Sequence, residues 1–149
     1  MVMQTQIVPV PKQLAAVVRK CVPLAGIPQA QREARRILDV ALREADLPVG
    51  RTLTVWRPPH RGMIDYAPGV FVPRAFEAVH EVSLFQLPEG RAAHFSLRGP
   101  YNGLAAAWQR LFEDCKALAC EVTGLNSEVY ALPGTAPEEC GTDLYALLE

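Results

Sequence analysis

The sequence predicts an α+β fold: duplicated β-β-α-β-β units packed with pseudo-twofold symmetry, antiparallel sheets, two main helices and a ligand groove at the seam. Three observations predict it. The order strand, strand, helix, strand, strand runs twice along the 149 residues. Residues line up as well as elements: Ala15-Ala16-Val17-Val18-Arg19 sits where Ala92-Ala93-His94-Phe95-Ser96 does, and Thr54-Val55-Trp56 sits where Glu128-Val129-Tyr130 does. Each unit also carries one apolar stripe of helical period between β-rich segments. The expected organisation is one domain over residues 1–149, with repeat 1 over about 1–77 and repeat 2 over about 78–149.

In chain order, Gln6 to Val10 and Leu14 to Arg19 suit strands, and Pro11-Lys12-Gln13 between them predicts a hairpin. Pro28 fits the first turn of a helix. Ala30, Ala34, Ile37, Leu38, Ala41, Leu42 and Ala45 then recur at three and four residues, up to Pro48 and Gly50. Leu53 to Trp56 alternates and ends at Pro58-Pro59, and Met63 to Tyr66 gives another short strand. Val79 to Leu87 and Ala92 to Leu97, separated by Pro88-Glu89-Gly90, predict a second hairpin. Asn102 is the expected N-cap of the second helix, whose stripe is Leu104, Trp108, Leu111, Phe112, Cys115 and Ala119, ending near Gly124. Strands over Ser127 to Leu132 and Thr142 to Leu148 flank a loop with Pro133, Gly134 and Pro137.

Composition narrows the function classes. The length suits one domain of roughly 100–200 residues, and half of it is hydrophobic, enough for a sizeable core. No basic, apolar leader opens the chain and no apolar run reaches the ~20 residues of a membrane helix, so a cytoplasmic protein without a membrane role is expected. The net charge is −1 with both signs interspersed, so no direct nucleic-acid binding is expected. Arg32, Arg35, Arg36 and Arg43 lie among Glu33, Asp39 and Glu44 and are read as a solvated helix face. Cys21, Cys115, Cys120 and Cys140 form no CxxC pair and are expected to be buried thiols. His60, His80 and His94 have no partner at ligand spacing, so neither a metal nor a cofactor is expected. P-loop, dinucleotide, GxSxG and HExxH patterns are absent from the sequence.

The run Leu87-Pro88-Glu89-Gly90-Arg91-Ala92-Ala93-His94-Phe95-Ser96-Leu97-Arg98-Gly99-Pro100-Tyr101 resembles the GyrI-like small-molecule-binding domain. The same domain serves as the effector-binding domain of some bacterial transcription activators and belongs to the SOUL/GyrI-like superfamily. The similarity continues through a helix carrying Leu104, Trp108 and Phe112 to a Glu-x-Tyr pair, Glu128 and Tyr130. It closes with Glu138, Glu139, Thr142 and Tyr145. About 60 residues match well, and the N-terminal half matches only in element order. The resemblance implies a groove between the repeats for flat, hydrophobic, often cationic compounds, with the glutamate as counter-charge. Family members act fused to DNA-binding domains, alone as drug-binding or gyrase-inhibiting proteins, or as hydrolases of cyclopropane-bearing DNA-alkylating toxins. Two repeats fill this length, so a stand-alone protein is expected, alone, as a homodimer or with a separate regulatory partner.

Strand alternation puts Glu128 and Tyr130 on one face and Thr54 and Trp56 on the corresponding face of the other repeat. The pseudo-twofold then predicts Trp56 facing Tyr130 across the seam with Glu128 beside them. An acid in an apolar groove is costly to keep ionised, and a cationic ligand reverses that penalty. Aromatic faces add ~0.5–2 kcal/mol each for such a ligand. The expected ligand-binding residues are Glu128, Tyr130, Trp56, Tyr145, Tyr101 and Tyr66. Tyr145 is expected to hydrogen-bond Glu128, and Trp108 to be core. A stand-alone binding protein is the leading function, and the sequence leaves open whether the chain is an enzyme, with binding alone favoured. The alternatives are a ring-opening hydrolase using Glu128 and Tyr145 as catalytic residues, and a protein partner such as a gyrase inhibitor.

Overall fold

The computed structural model describes residues 5–48, 50–99, 103–131 and 141–149. Among them are nine strands in one curled antiparallel sheet, a half-barrel, and two α-helices on one of its faces. The elements are β1 (Gln6–Val10), β2 (Gln13–Val18), β3 (Lys20–Pro23), α1 (Ile27–Glu44), β4 (Thr52–Trp56), β5 (Met63–Phe71), β6 (Val82–Leu87), β7 (Gly90–Arg98), α2 (Leu104–Ala117), β8 (Val122–Tyr130) and β9 (Gly141–Leu148). Neither helix is long and apolar enough to cross a membrane.

The strand order is β1-β7-β9-β8-β4-β5-β2-β6, with β3 also on β5. The expected hairpins are therefore absent. β1 pairs with β7, and β6 pairs with β2, so each unit lends its first strand to the other unit's second. Pro11 and Pro88 in the connections supply no ladder donor, which suits a crossing between strands better than a tight paired turn. The pairings repeat between the units. Ala15 pairs with Phe71 as Ala92 pairs with Leu147, and Trp56 pairs with Tyr66 as Tyr130 pairs with Thr142. β4 and β8 lie together at the centre, joined through Leu53–Val129 and Thr54–Glu128.

Helix α1 carries Pro28 in its first turn, buries Ala30, and packs Ala34, Leu38, Ala41 and Leu42 against Ala16, Val18, Val70, Val72 and Val82. Small residues on the stripe let the helix lie close to the sheet, while Leu38 and Leu42 fill the space behind. Helix α2 buries Ala107, Leu111 and Cys115 against Ala93, Phe95, Leu144 and Ala146. Both helices end alike: Asp46 and Ala119 take positive φ, and the next amides, Leu47 and Cys120, bond back to the Leu42 and Cys115 carbonyls. Helix α2 thus stops well before Gly124, which has φ +92° inside β8. The β8–β9 register shifts between Val122 and Asn126, and a glycine relieves the strain of such a bulge.

Alternation divides the strands cleanly. Residues on the opposite, inner face of the half-barrel, Ala15, Val17, Leu53, Val55, Ala67 and Val129, form a third apolar cluster. β5 runs to Phe71, beyond the expected Tyr66, because Gly69 fits where no side chain can. A Cβ there would sit 2.6 Å from the Ala16 carbonyl oxygen. Of the thiols expected to be buried, Cys115 is buried, Cys120 is half-buried, and Cys21 is exposed on the short edge segment β3. Cys140 and the expected N-cap Asn102 lie outside the described residues.

Candidate functional site

The two helix-side cores stop on either side of β4 and β8, and the seam between them is polar. Thr54, fully buried, and Glu128, 5% exposed, stand side by side there as cross-strand partners. The Glu128 carboxylate accepts a hydrogen bond from Trp108 Nε1 at 2.7 Å and one from the Tyr130 hydroxyl at 2.8 Å. Tyr130 Oη also lies 2.8 Å from Thr54 Oγ1. An ionised carboxylate only accepts, so Tyr130 donates to Glu128 and accepts from Thr54. Thr54 in turn accepts from Gln31 Nε2 at 3.3 Å and from Arg35 Nη2 at 3.4 Å. Every proton in this chain points toward the glutamate, an arrangement whose members polarise one another. Burial, and then the Glu128 charge, push the Tyr130 phenol well above its usual range, so it stays a donor at any ordinary pH.

The repeat explains which side chains meet. Gln31 is the fifth residue of α1 and Trp108 the fifth of α2. Gln31 donates to Thr54, and Trp108 donates to Glu128. The same contact is thus made twice, once on each side of the β4–β8 axis, and one copy has acquired the acid.

Several sequence expectations need correction. Trp56 shares the helix-side face with Tyr130 but does not face it. Its cross-strand neighbours are Asn126 and Tyr66, and it stacks on Tyr66 with ring centroids 4.8 Å apart. Tyr66 is 1% exposed and donates its hydroxyl to the Ile27 carbonyl, so it supports Trp56 and the start of α1 instead of offering a free surface. Tyr145 does not reach Glu128. It pairs with Ser127, and so lies on the inner face, stacked on His94. Trp108, expected in the core, packs beside it, stacks on Phe112 and turns its N–H onto Glu128. Arg35, expected in solvent, donates to the Gly69 and Leu53 carbonyls at 2.6 and 2.8 Å. Tyr101 lies outside the described residues.

Among the described residues, four buried side-chain polar atoms have no hydrogen-bond partner: Gln31 Oε1, Trp56 Nε1, Asn126 Oδ1 and, opposite Tyr130 on β9, Thr142 Oγ1. Buried polar groups are almost always satisfied, so such a cluster marks a place where a polar molecule fits. Gln31 Oε1 and Asn126 Oδ1 are acceptors, and Glu128 adds a negative charge.

The inner face carries a second polar cluster. Asp143 accepts from His94 at 3.0 Å and from Arg51 at 3.3 Å, while Arg51 Nε also donates to the Tyr130 carbonyl at 2.8 Å. Its His94 and Arg51 partners hold the Asp143 carboxyl below its usual range. A depressed folded-state pKa contributes stability above the unfolded value of about 3.9, and that stability is lost as pH falls through the folded value. Asp143→Asn is therefore expected to cost roughly 1 kcal/mol near neutral pH. Urea unfolding across pH should show the gap to the parent constant above about pH 5 and closing below about pH 4.

The GyrI-like small molecule binding domain family matches residues 3–148. The chain belongs to this family. A search of curated proteins returned no match. Among solved structures, the C-terminal domain of EcmrR superposes with TM-score 0.83 at 16% identity, covering 100% of this chain and 99% of that one. EcmrR in its DNA complex gives TM-score 0.84 at 15% identity and 99% coverage, but this chain spans only 57% of that longer one. SAV2435 bound to tetraphenylphosphonium gives TM-score 0.70 at 13% identity, covering 99% and 94% of the two chains. A hydrolase encoded by lin2189 from Listeria innocua gives TM-score 0.65 at 12% identity, covering 98% and 92%. Likeness at such identities establishes the GyrI-like fold and leaves the ligand to the residues of this chain.

Proposed function

We propose that this GyrI-like domain binds hydrophobic cations, aromatic ones above all, against Glu128 between α1 and α2, and acts as a cytoplasmic sensor or sequestering module. One observation carries the reading. Glu128 is almost fully buried, yet both of its hydrogen bonds come from neutral donors, Trp108 and Tyr130. A buried charge held this way is costly, and a desolvated cation is the partner that repays it. The acceptors of Gln31 and Asn126, unpartnered among the described residues, lie on the same side of the sheet, and Trp56, Trp108 and Tyr130 offer aromatic faces. SAV2435 supplies a precedent in this fold for an aromatic cation.

The Trp108 indole covers the carboxylate, so a ligand must displace its N–H or stack on its ring. Indole emission then reports binding. Titration with tetraphenylphosphonium is expected to give a saturable fluorescence change at micromolar concentration and one equivalent, with triphenylphosphine oxide, its neutral analogue, far weaker. No saturable change across a panel of aromatic cations would falsify the reading.

A second reading, a hydrolase of strained electrophilic rings, is favoured by the 2.8 Å contact between Glu128 and Tyr130. Glu128 takes a proton from water, the oxygen bonds to the strained carbon, and the ring bond breaks toward the atom that receives the proton. Tyr130 replaces Tyr145 as the orienting phenol, because Tyr145 faces the other way. Conversion of many equivalents of a cyclopropane-bearing alkylator per protein distinguishes turnover from sequestration, which stops at one.

A further inference from the structure

On the inner face of the half-barrel, back to back with the Glu128 seam, lies a cavity of about 390 Å³. β8 separates the two. Alternation sends Glu128 and Tyr130 to the helix side and Ser127 and Val129 into the cavity. Pro9 and Pro11 around β1, Leu87 and Pro88 at the end of β6, and Phe71, Ala92, Leu125 and Leu147 make its wall apolar. The volume falls at the small end of the roughly 300–1,000 Å³ usual for ligand sites.

The polar groups of the wall are few and point to one chemistry. Among the described residues of the lining, Arg51 is the single charged side chain and none is an Asp or Glu. The Arg51 side chain is 40% exposed, and its contacts with the Tyr130 carbonyl and Asp143 use two of five N–H donors. Asp143 pairs with Arg51 from one side and also accepts from His94, so the other N–H donors of the guanidinium are left for a ligand. The Tyr145 hydroxyl has no hydrogen-bond partner among the described residues, and burial pushes its phenol up, keeping it a donor. An apolar chamber with a fixed guanidinium and a phenol donor suits a molecule with an apolar body and one carboxylate head.

We infer that the inner cavity of the half-barrel binds a medium-chain monocarboxylate, its tail among Phe71, Leu87, Ala92 and Leu147 and its carboxylate on Arg51 and Tyr145. This site shares no ligand contact with the Glu128 seam and selects the opposite charge. It stands or falls independently of the function proposed above.

The test is isothermal titration of the whole chain with decanoate below its micelle concentration, with decyltrimethylammonium as the cationic control. Decanoate is expected to bind with saturation at one equivalent and the ammonium at least tenfold more weakly. Ala92→Phe, which fills the chamber from β7, is expected to abolish decanoate binding while leaving the tetraphenylphosphonium response of Trp108 in place. Should that variant fail to fold, Leu125→Trp narrows the same chamber from a half-exposed rim position and is expected to weaken decanoate at least tenfold. Arg51→Gln is expected to weaken decanoate tenfold and leave decanol unchanged. Absence of saturable decanoate binding, or decanoate binding untouched in a folded chamber-filling variant, overturns the proposal.

Discussion

Glu128→Gln is expected to weaken tetraphenylphosphonium binding at least tenfold, about 1.4 kcal/mol, while the unliganded protein melts at the same temperature or higher. The two halves of this result have one cause. Glutamine keeps the shape of the side chain, but its one oxygen replaces only one of the two accepting carboxylate oxygens: with that oxygen on Trp108, the amide nitrogen donates to the Tyr130 hydroxyl, which turns its own proton to Thr54. What disappears is a negative charge in a site from which water is largely excluded. Removing a buried charge whose hydrogen bonds come only from neutral donors relieves the folded state, and a functional residue commonly costs stability in this way. Each kcal/mol gained raises the melting temperature by roughly 3 °C in a chain of this size. Thermal melts with and without ligand read both effects at once. The parent should gain more from saturating ligand than the variant does, and equal ligand-induced shifts in the two proteins would remove Glu128 from the site.

The alternation of Glu128, Val129 and Tyr130 was enough to put the acid and the phenol on one face, and the repeat was enough to pair Thr54 with Glu128 in kind. Helix α1 was legible almost to its ends, because Pro28, the alanine and leucine stripe and Pro48 each act locally. Strand partners were not legible. Pro11-Lys12 and Pro88-Glu89 look like hairpin turns, and nothing local reveals that the units exchange their first strands. Tyr145 was misplaced for a related reason: once Ser127 is known to pair with Tyr145, alternation sends Tyr145 away from Glu128, but register between distant strands is a tertiary fact. Trp108 sits at the edge of an apolar stripe, where period alone reads it as core, although an indole N–H in such a place needs an acceptor. The usable signal was the repeat itself, carried into the helices, where Gln31 and Trp108 fall on equivalent positions.

Arg35 shows how far that logic reaches, and Arg35→Met is expected to be the most destabilising single change near the site. One planar guanidinium donates to the carbonyls of Leu53 and Gly69, which face each other across β4 and β5, and touches Thr54. It thereby fastens α1 over the two strands that carry the first half of the seam, at the level where Gly69 lets β2 and β5 approach. Methionine keeps most of the aliphatic stem and its packing but leaves two carbonyls without their charged donor. With hydrogen bonds to charged groups at about 1.5–3 kcal/mol each, discounted because Arg35 is only half-buried, the expected loss is roughly 2–4 kcal/mol. That corresponds to a fall of roughly 6–12 °C in melting temperature. Arg35→Lys should recover less than half of it, because an ammonium cannot span both oxygens with the rigid fork of arginine. Ligand affinity should fall with stability, since Thr54 loses a donor and with it part of the polarisation that aims Tyr130 at Glu128. If Arg35→Met melts within a degree of the parent, the guanidinium is a surface ornament and the seam is held by apolar packing alone.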